Sequence, residues 1–450
     1  MPFSSSAKHG LTATGMWGGH MLRLGSAKDP PGYAWMLDLL YGGKQSVTWA
    51  AAGCLPAGYT RADQLVRLPS AQGRSLLVSL ASRRGTSSAL TSYNALRSGR
   101  RKIARQVLGS ALQAGMAQPV LRSRIDIGIR VGTSADERAD DLLDDKLRAL
   151  CASSLPATRL VTAISGGQGP YRKPILHVFS QTGKPLGFIK VGWNTWTKEG
   201  VRQEKAALTA YGSRPRGFGV PNLLSLSDWH GHNLLATAPL PERVTKIGAD
   251  AGMPDASVLR EINGLSEVAA RPLAESSWWL RARGRIRDVV DRVARQALTQ
   301  ATERINAAYG QATLDFGFCH GDFTPWNLGQ ASGRIYVWDW ESSVPDAPVG
   351  FDAVHYLFQV GFVEHHLPLE EAAVTAARSA CPVLLELGVR AEYCGLVTVL
   401  HLVDLFLRHE AARASAGAPD ERFYPSISKV LERQLAHICP EASENVEGAS

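Results

Sequence analysis

The chain has 450 residues and a formal net charge of +8, which allows two to three domains and an ample buried core. Its 45% hydrophobic and 20% charged residues are ordinary for a folded chain and exclude the disordered and fibrous classes. No apolar run reaches the length of about eighteen residues that predicts a membrane span.

The opening MPFSSSAKHG lacks the apolar core of a secretory leader. Six scattered cysteines (Cys54, Cys151, Cys319, Cys381, Cys394, Cys439) show no CxxC or metal-ligand spacing and are expected as reduced thiols. Both features predict a cytoplasmic location. Residues 1–60 are rich in Gly, Ala and Trp without a sustained period and predict no element. Residues 1–150 hold 20 Lys and Arg against 10 Asp and Glu, whereas the remaining 300 hold 29 against 31. The basic centre is residues 61–130, with thirteen basic side chains against Asp63 and Asp126 alone. A solvated basic face is the plain reading; the other is a surface for anionic lipid, an anionic glycan or nucleic acid. No helix-turn-helix, zinc or RNA-binding pattern is present, so no specific nucleic acid is expected. Within this segment Leu76–Leu80 predicts a strand. Ser92–Ala117 predicts a helix with Ile103, Val107, Leu108, Leu112 and Met116 on one face, and Arg124–Ile129 a half-buried strand. Asp136–Cys151 predicts a helix with an acidic start. Residues 1–150 therefore read as a basic accessory α/β domain of unassigned role.

From about residue 157 the pattern changes to strands at Leu160–Ile164, Ile175–Ser180 and Leu186–Val191, a helix around Val201–Tyr211, and strands near Asn222–Ser227 and Leu234–Ala238. The loop Ser165–Lys173 carries Gly166, Gly167 and Gly169, whose backbone could approach phosphates closely, or which simply make a hairpin turn. Arg172 and Lys173 would add positive charge there. Lys190 stands inside an apolar strand, where a lysine is costly without an anionic partner. Glu204, fourteen positions later on the predicted helix, is the favoured partner and Glu199 the runner-up. The run Leu234–Leu240 includes Thr237 and Ala238 and leads out of the last strand.

Beyond residue 242 the pattern is mostly helical, with a long amphipathic candidate from Trp279 to Tyr309 and helices over roughly 351–436. A strand at Leu314–Cys319 enters the most informative segment, CHGDFTPWNLGQASGRIYVWDWESS. It places Asp322, then Asn327 five positions on, then an apolar strand delivering Asp339. Phosphoryl transfer from a nucleotide needs such a set: one Asp to accept the acceptor hydroxyl's proton, and an Asn and a second Asp as hard oxygen ligands for magnesium. His320 is expected to pack the loop, and Glu341 to approach the metal or only flank it. His365-His366 beside Glu364 are adjacent on a helix and do not face one site. Trp278-Trp279 fit a packed helix. Glu441–Ser450 reads as a disordered tail.

His320-Gly321-Asp322 with Asn327, followed by Asp339-Trp340-Glu341, resembles the aminoglycoside phosphotransferase and choline kinase branch of the kinase-like fold. The resemblance covers about residues 157–436, with specific motifs at 186–208 and 319–352, and leaves residues 1–150 outside. It implies an α+β, bilobal protein kinase-like fold: a β-rich small lobe over 157–241, a helical large lobe over 242–436, and a tail over 437–450. It further implies an enzyme using ATP and Mg2+, with Asp322 as catalytic base and Asn327 and Asp339 as metal ligands. Lys190 held by Glu204, Gly166, Gly167, Gly169 and the hinge residues Thr237 and Ala238 would line the nucleotide. Asp352 matches the family's downstream Asp that hydrogen-bonds the catalytic loop. The loop 165–173 departs from GxGxxG, which leaves its phosphate contacts open. The implied acceptor is a hydroxyl of a small molecule or saccharide, such as an aminoglycoside-like antibiotic, a sugar or a cell-envelope precursor. Peripheral contact of residues 61–130 with an anionic membrane or glycan is the associated partner expectation. The alternative is a catalytically silent nucleotide-binding scaffold, against which the complete set Lys190, Glu204, Asp322, Asn327 and Asp339 argues.

Overall fold

The computed structural model describes residues 32–68, 74–93, 96, 99–116, 123–151, 160–167, 169, 171–212, 217–247, 252–416 and 424–438. The tail expected at 441–450 and Cys439 lie outside these. Among the described residues one antiparallel sheet of nine strands organises the first half of the chain. Its strands are β1 (Val47–Ala51), β2 (Tyr59–Leu68), β3 (Arg74–Ser79), β4 (Arg124–Arg130), β5 (Val161–Gly167), β6 (Ile175–Phe179), β7 (Pro185–Gly192), β8 (Leu223–Trp229) and β9 (His232–Thr237), in the order β1-β4-β2-β3-β5-β6-β7-β9-β8. The accessory segment and the small lobe, expected as separate units, thus share one sheet. They join where β3 pairs with β5, from Arg74 opposite Gly167 to Val78 opposite Ala163. An unpaired strand edge leaves a row of unbonded N–H and C=O groups, and this pairing covers the edge that each half alone would present.

Successive strand residues alternate between the two faces, and here both faces are buried. One face sets Leu65, Leu77, Ile164, Leu176, Val178, Ile189 and Val191 against two helices. These are α1 (Ala34–Tyr41), through Met36, Leu37 and Leu40, and α5 (Leu143–Cys151), through Leu143 and Leu147. The alternate residues Val66, Leu76, Val78, Val161, Ala163 and Phe179 pack on the opposite face against Ala89, Leu90 and Leu112. Those belong to α2 (Arg83–Thr91) and α3 (Gly99–Gln113). The single helix predicted over Ser92–Ala117 is therefore shorter, and its apolar stripe is only half used: Leu108 and Leu112 face the core, whereas Ile103, Val107 and Met116 are 65%, 64% and 71% exposed. The packed face is set by Gly109, where a Cβ would lie 2.6 Å from the Thr91 methyl of α2. The helix predicted over Asp136–Cys151 is likewise two, α4 (Ala135–Asp141) and α5, separated at Leu142.

α6 (Thr195–Tyr211) crosses from the sheet to the second half of the molecule. Asn194 caps it through Oδ1, which accepts from the Thr197 amide at 2.8 Å, while the Thr197 hydroxyl accepts from the Asn194 amide at 3.0 Å. The second half is helical: α7 (Ala256–Asn263), α8 (Ser277–Ile286), α9 (Arg292–Tyr309), α10 (Phe351–Gln359), α11 (Leu369–Glu386), α12 (Cys394–Ala416) and α13 (Tyr424–Ile438). Its core gathers Trp279, Leu298, Ile305, Phe316, Phe351, Leu400, Phe406 and Leu431. The long helix predicted from Trp279 to Tyr309 breaks between α8 and α9, where the Asp291 side chain caps the new start by accepting from the Ala294 amide at 2.9 Å. Two three-stranded sheets serve the site. One orders β10 (Thr245–Lys246), β13 (Leu328–Ala331) and β14 (Arg334–Val337); the other orders β11 (Ala269–Pro272), β12 (Thr313–Cys319) and β15 (Val344–Pro348). The architecture is bilobal, with a strand-rich half and a helical half, as the α+β reading expected. Among the described residues no helix is long and apolar enough to cross a membrane.

Candidate active site

β12 ends at Cys319 and the chain turns sharply. Gly321 has φ +78°, and a Cβ there would lie 2.2 Å from the Ser342 carbonyl, so only glycine fits. The turn is fixed from below by Asp352 at the start of α10. Its Oδ2 accepts from the His320 amide at 2.8 Å and its Oδ1 from the Gly321 amide at 2.9 Å. The Gly321 carbonyl accepts from Arg408 Nη1 of α12 at 2.6 Å. His320 is buried; its Nδ1 accepts from the Asp322 amide at 3.2 Å and its Nε2 donates to the Trp338 carbonyl at 3.1 Å. It therefore pins the loop, and burial holds its pKa below the usual imidazole value.

Asp322 is held at both oxygens. Oδ2 accepts from Asn327 Nδ2 at 2.8 Å, and Oδ1 lies 3.2 Å from His355 Nε2, which donates. Burial, reinforced by the charge of Asp339, pushes its pKa up to about 7. Asn327 Nδ2 also donates to the Asp322 carbonyl at 3.0 Å. The amide's donors are thus committed, and its Oδ1 is the atom it can offer to a cation.

Asp339 follows β14 in the left-handed conformation, at φ 69° and ψ 59°. That strains most residues, but Asp is among the few that tolerate it. Its Oδ1 lies 2.5 Å from Lys190 Nζ, and Glu204 Oε2 lies 2.5 Å from the same nitrogen. Lys190 thus has the anionic partners its strand position demands. Burial alone would lower its pKa, but the charges of Asp339 and Glu204 win and raise it. The Glu204 carboxyl is raised by burial against the opposing pull of Lys190. Lys190 and Lys173 hold Asp339 low despite its burial. Glu199 sits elsewhere, exposed and 3.7 Å from Arg202.

Lys173 also enters this cluster. It forms a hydrogen-bonded ion pair with Glu341, and burial lowers its pKa to about 8 while Asp339, Glu204 and Asp322 pull the other way. Carboxylate oxygens of Glu204, Asp339 and Glu341 all lie within 4.8 Å of one another. These carboxylates are hard oxygen donors, and they fit magnesium, which takes few protein ligands plus phosphate.

Three expectations change. Gly166 and Gly167 belong to strand β5 rather than a loop, and a Cβ at Gly166 would meet Met36 Sδ of α1 at 2.5 Å. The missing Cβ of that glycine makes room for helix-on-sheet packing. Gly169 does sit in a turn, with φ +126°. In the hinge, the Ala238 amide already donates to the Asn222 carbonyl at 2.8 Å and is not offered to a base, because the chain is still laddered to the neighbouring strand. Thr237 pairs with Phe188 of β7 and Leu223 of β8.

His355 and Arg408 escaped the sequence reading. His355 lies one helical turn after Asp352, a spacing that puts both on the face of α10 beneath the loop. Arg408, eighty-seven positions beyond Gly321, carried no local signal.

No family model matches the sequence, and no curated protein matches it. Solved structures do align. An amicoumacin kinase in complex with AMP-PNP, Ca2+ and Ami is 10% identical, with 67% of this chain and 94% of that chain covered and a TM-score of 0.42. A thermostable aminoglycoside phosphotransferase with ADP and hygromycin B is 12% identical, covering 60% and 93%, with a TM-score of 0.39. A choline kinase from Streptococcus pneumoniae is 14% identical, covering 61% and 89%, with a TM-score of 0.39.

Proposed function

We propose that this chain is an ATP- and magnesium-dependent phosphotransferase acting on a hydroxyl of a small molecule or saccharide. The observation that carries the reading is the convergence of Asp322, Asn327 and Asp339 from the helical half on Lys190 of β7 and Glu204 of α6. In this reaction the acceptor oxygen forms a bond to the γ-phosphorus as the bond to the departing diphosphate breaks. Asp322 receives the hydroxyl proton, and His355 and Asn327 keep its carboxylate aimed while it does so. Asn327 Oδ1 and the Asp339 carboxylate would hold magnesium, which neutralises phosphate charge when bound. Lys190, held by Glu204, would meet the phosphates. The acceptor reading extends to an aminoglycoside-like antibiotic, a sugar or a cell-envelope precursor.

Replacing Asp322 by Asn keeps the shape of the loop and removes the proton acceptor. Turnover of ATP against a panel of hydroxylated acceptors is expected to fall by about 10²–10⁴-fold, with nucleotide binding retained. Near-normal turnover in Asp322→Asn would remove this loop from the chemistry.

A further inference from the structure

This inference rests on the phosphotransferase reading and concerns the base end of the same cleft. With Lys190 and Asp339 marking the phosphates, the base of a nucleotide would lie along the hinge after β9. Its roof would be the cleft-facing residues of β6 and β7, and its floor β13, β14 and Trp338, the residue before Asp339. Phe188 stands two positions before Lys190 on β7 and so shares its face. His177 is Phe188's cross-strand partner, and the two rings stack at 4.2 Å and 11°.

That space holds Tyr93, which follows α2 in the first third of the chain. Its ring centroid lies 5.5 Å from Phe188 and 5.2 Å from His177. It is buried in one cluster with Leu240, Val244 and Ala331, against which Phe188, Tyr336 and Trp338 pack. Its hydroxyl donates to the Leu240 carbonyl of the hinge at 2.8 Å, across 147 positions of sequence. Tyr93 has φ +56°, a left-handed conformation that a bulky aromatic residue rarely takes. A local turn does not call for tyrosine there. The contacts on the cleft side must outweigh the strain, and strain of this kind clusters at ligand sites and switches.

We propose that Tyr93 occupies the nucleotide-base site and makes the N-terminal segment an autoinhibitory element. Its ring stands where the purine ring would stack, and its hydroxyl makes the hinge hydrogen bond that an amino group of the base would make. A nucleotide binds only when Tyr93 leaves, so the apparent affinity is the intrinsic one reduced by the fraction of molecules with Tyr93 out. A partner or surface that draws the N-terminal segment away would raise nucleotide affinity through that fraction.

The test uses the full-length chain and two variants, Tyr93→Ala and Tyr93→Phe, with folding of each checked by thermal unfolding. Calorimetry measures binding of Mg-ATP and of Mg-tripolyphosphate, which carries the phosphates without a base. Mg-ATP should bind Tyr93→Ala about tenfold or more tightly than the parent, since a competing occupant is gone. Tyr93→Phe, which loses only the hinge hydrogen bond, should show a smaller gain in the same direction. Mg-tripolyphosphate should bind all three alike. Unchanged or weaker Mg-ATP binding in both variants, with tripolyphosphate binding intact, would overturn the inhibitory role and make Tyr93 a wall of the pocket. If neither probe binds any of the three proteins, the phosphotransferase reading falls and this proposal falls with it.

Discussion

His401 of α12 packs behind His355, the partner of Asp322, and offers a clean measurement. Its ring is edge-on to His355 at 5.3 Å and to Phe351 at 5.5 Å, and it is 1% exposed. Neither ring nitrogen has a hydrogen-bond partner. A neutral imidazole keeps one N–H donor and one acceptor, and leaving such a group buried and unpaired costs about 1–3 kcal/mol. Burial, with the neighbouring His355 and Arg408, pushes its pKa well below 6.5. The folded protein therefore leaves His401 neutral under mild acid, whereas the unfolded chain protonates it below about pH 6.5. The unfolded state then binds more protons, so stability is lost as pH falls below that value. Between pH 7.5 and 5.5 this single group removes about 1.4 kcal/mol from folding. His355, whose pKa burial lowers to about 3, stays neutral in the folded state across that window in parent and variant alike. His401→Leu fills a similar volume without a titratable group. Its packing cost does not depend on pH and cancels when the two pH values are compared. Urea unfolding of both proteins at pH 7.5 and 5.5 should show the variant gaining about 1.4 kcal/mol on the parent at the lower pH. Parallel losses in the two proteins would refute the buried neutral imidazole.

Three further outcomes are expected. Asp339→Ala should weaken Mg-ATP binding far more than binding of metal-free ATP, and equal calorimetric losses would remove Asp339 from the metal site. Lys173→Ala should weaken ATP by about tenfold, as loss of a charge-assisted contact of about 1.5 kcal/mol implies, and leave adenosine binding unchanged; a parallel loss for adenosine would reduce Lys173 to a structural partner of Glu341. If residues 61–130 meet an anionic membrane, liposomes with acidic lipid should bind the protein more than neutral ones and lose it at higher salt. Neutralising Arg83, Arg84, Arg100, Arg101 and Lys102, or placing Asp at the exposed Ile103 and Val107 of α3, should abolish that binding, and equal binding to both liposome types would leave a solvated face.

What the sequence made legible follows from how far apart the interacting residues lie. Asp322 and Asn327 are five positions apart and bond directly, so one short segment carries this part of the candidate site. Lys190 and Glu204 lie fourteen positions apart, on a strand and the helix that follows it, and the cost of a lysine in an apolar strand points to a partner. The misreadings share a different origin. Gly166 reads as a loop glycine because its neighbours are glycines, but it lies in β5 and its missing Cβ accommodates Met36, 130 positions earlier. The α3 stripe read as one apolar face because periodicity alone says nothing about which half of the stripe finds a partner; Gly109 decided that through contact with α2. The separate accessory domain was inferred from a change in charge and in period near residue 150, yet the β3–β5 ladder ignores both. Backbone pairing needs only open edges and matching alternation, and side-chain charge, even that of Arg74 within the ladder, does not prevent it. The same ladder explains why an N-terminal residue can reach the cleft at all. β3 and β5 put α2 on the cleft-facing side of the sheet, and α2 ends two residues before Tyr93. Joining the basic segment edge to edge with the strand that leads to Lys190's neighbours is thus what brings the Tyr93 hydroxyl to the Leu240 carbonyl.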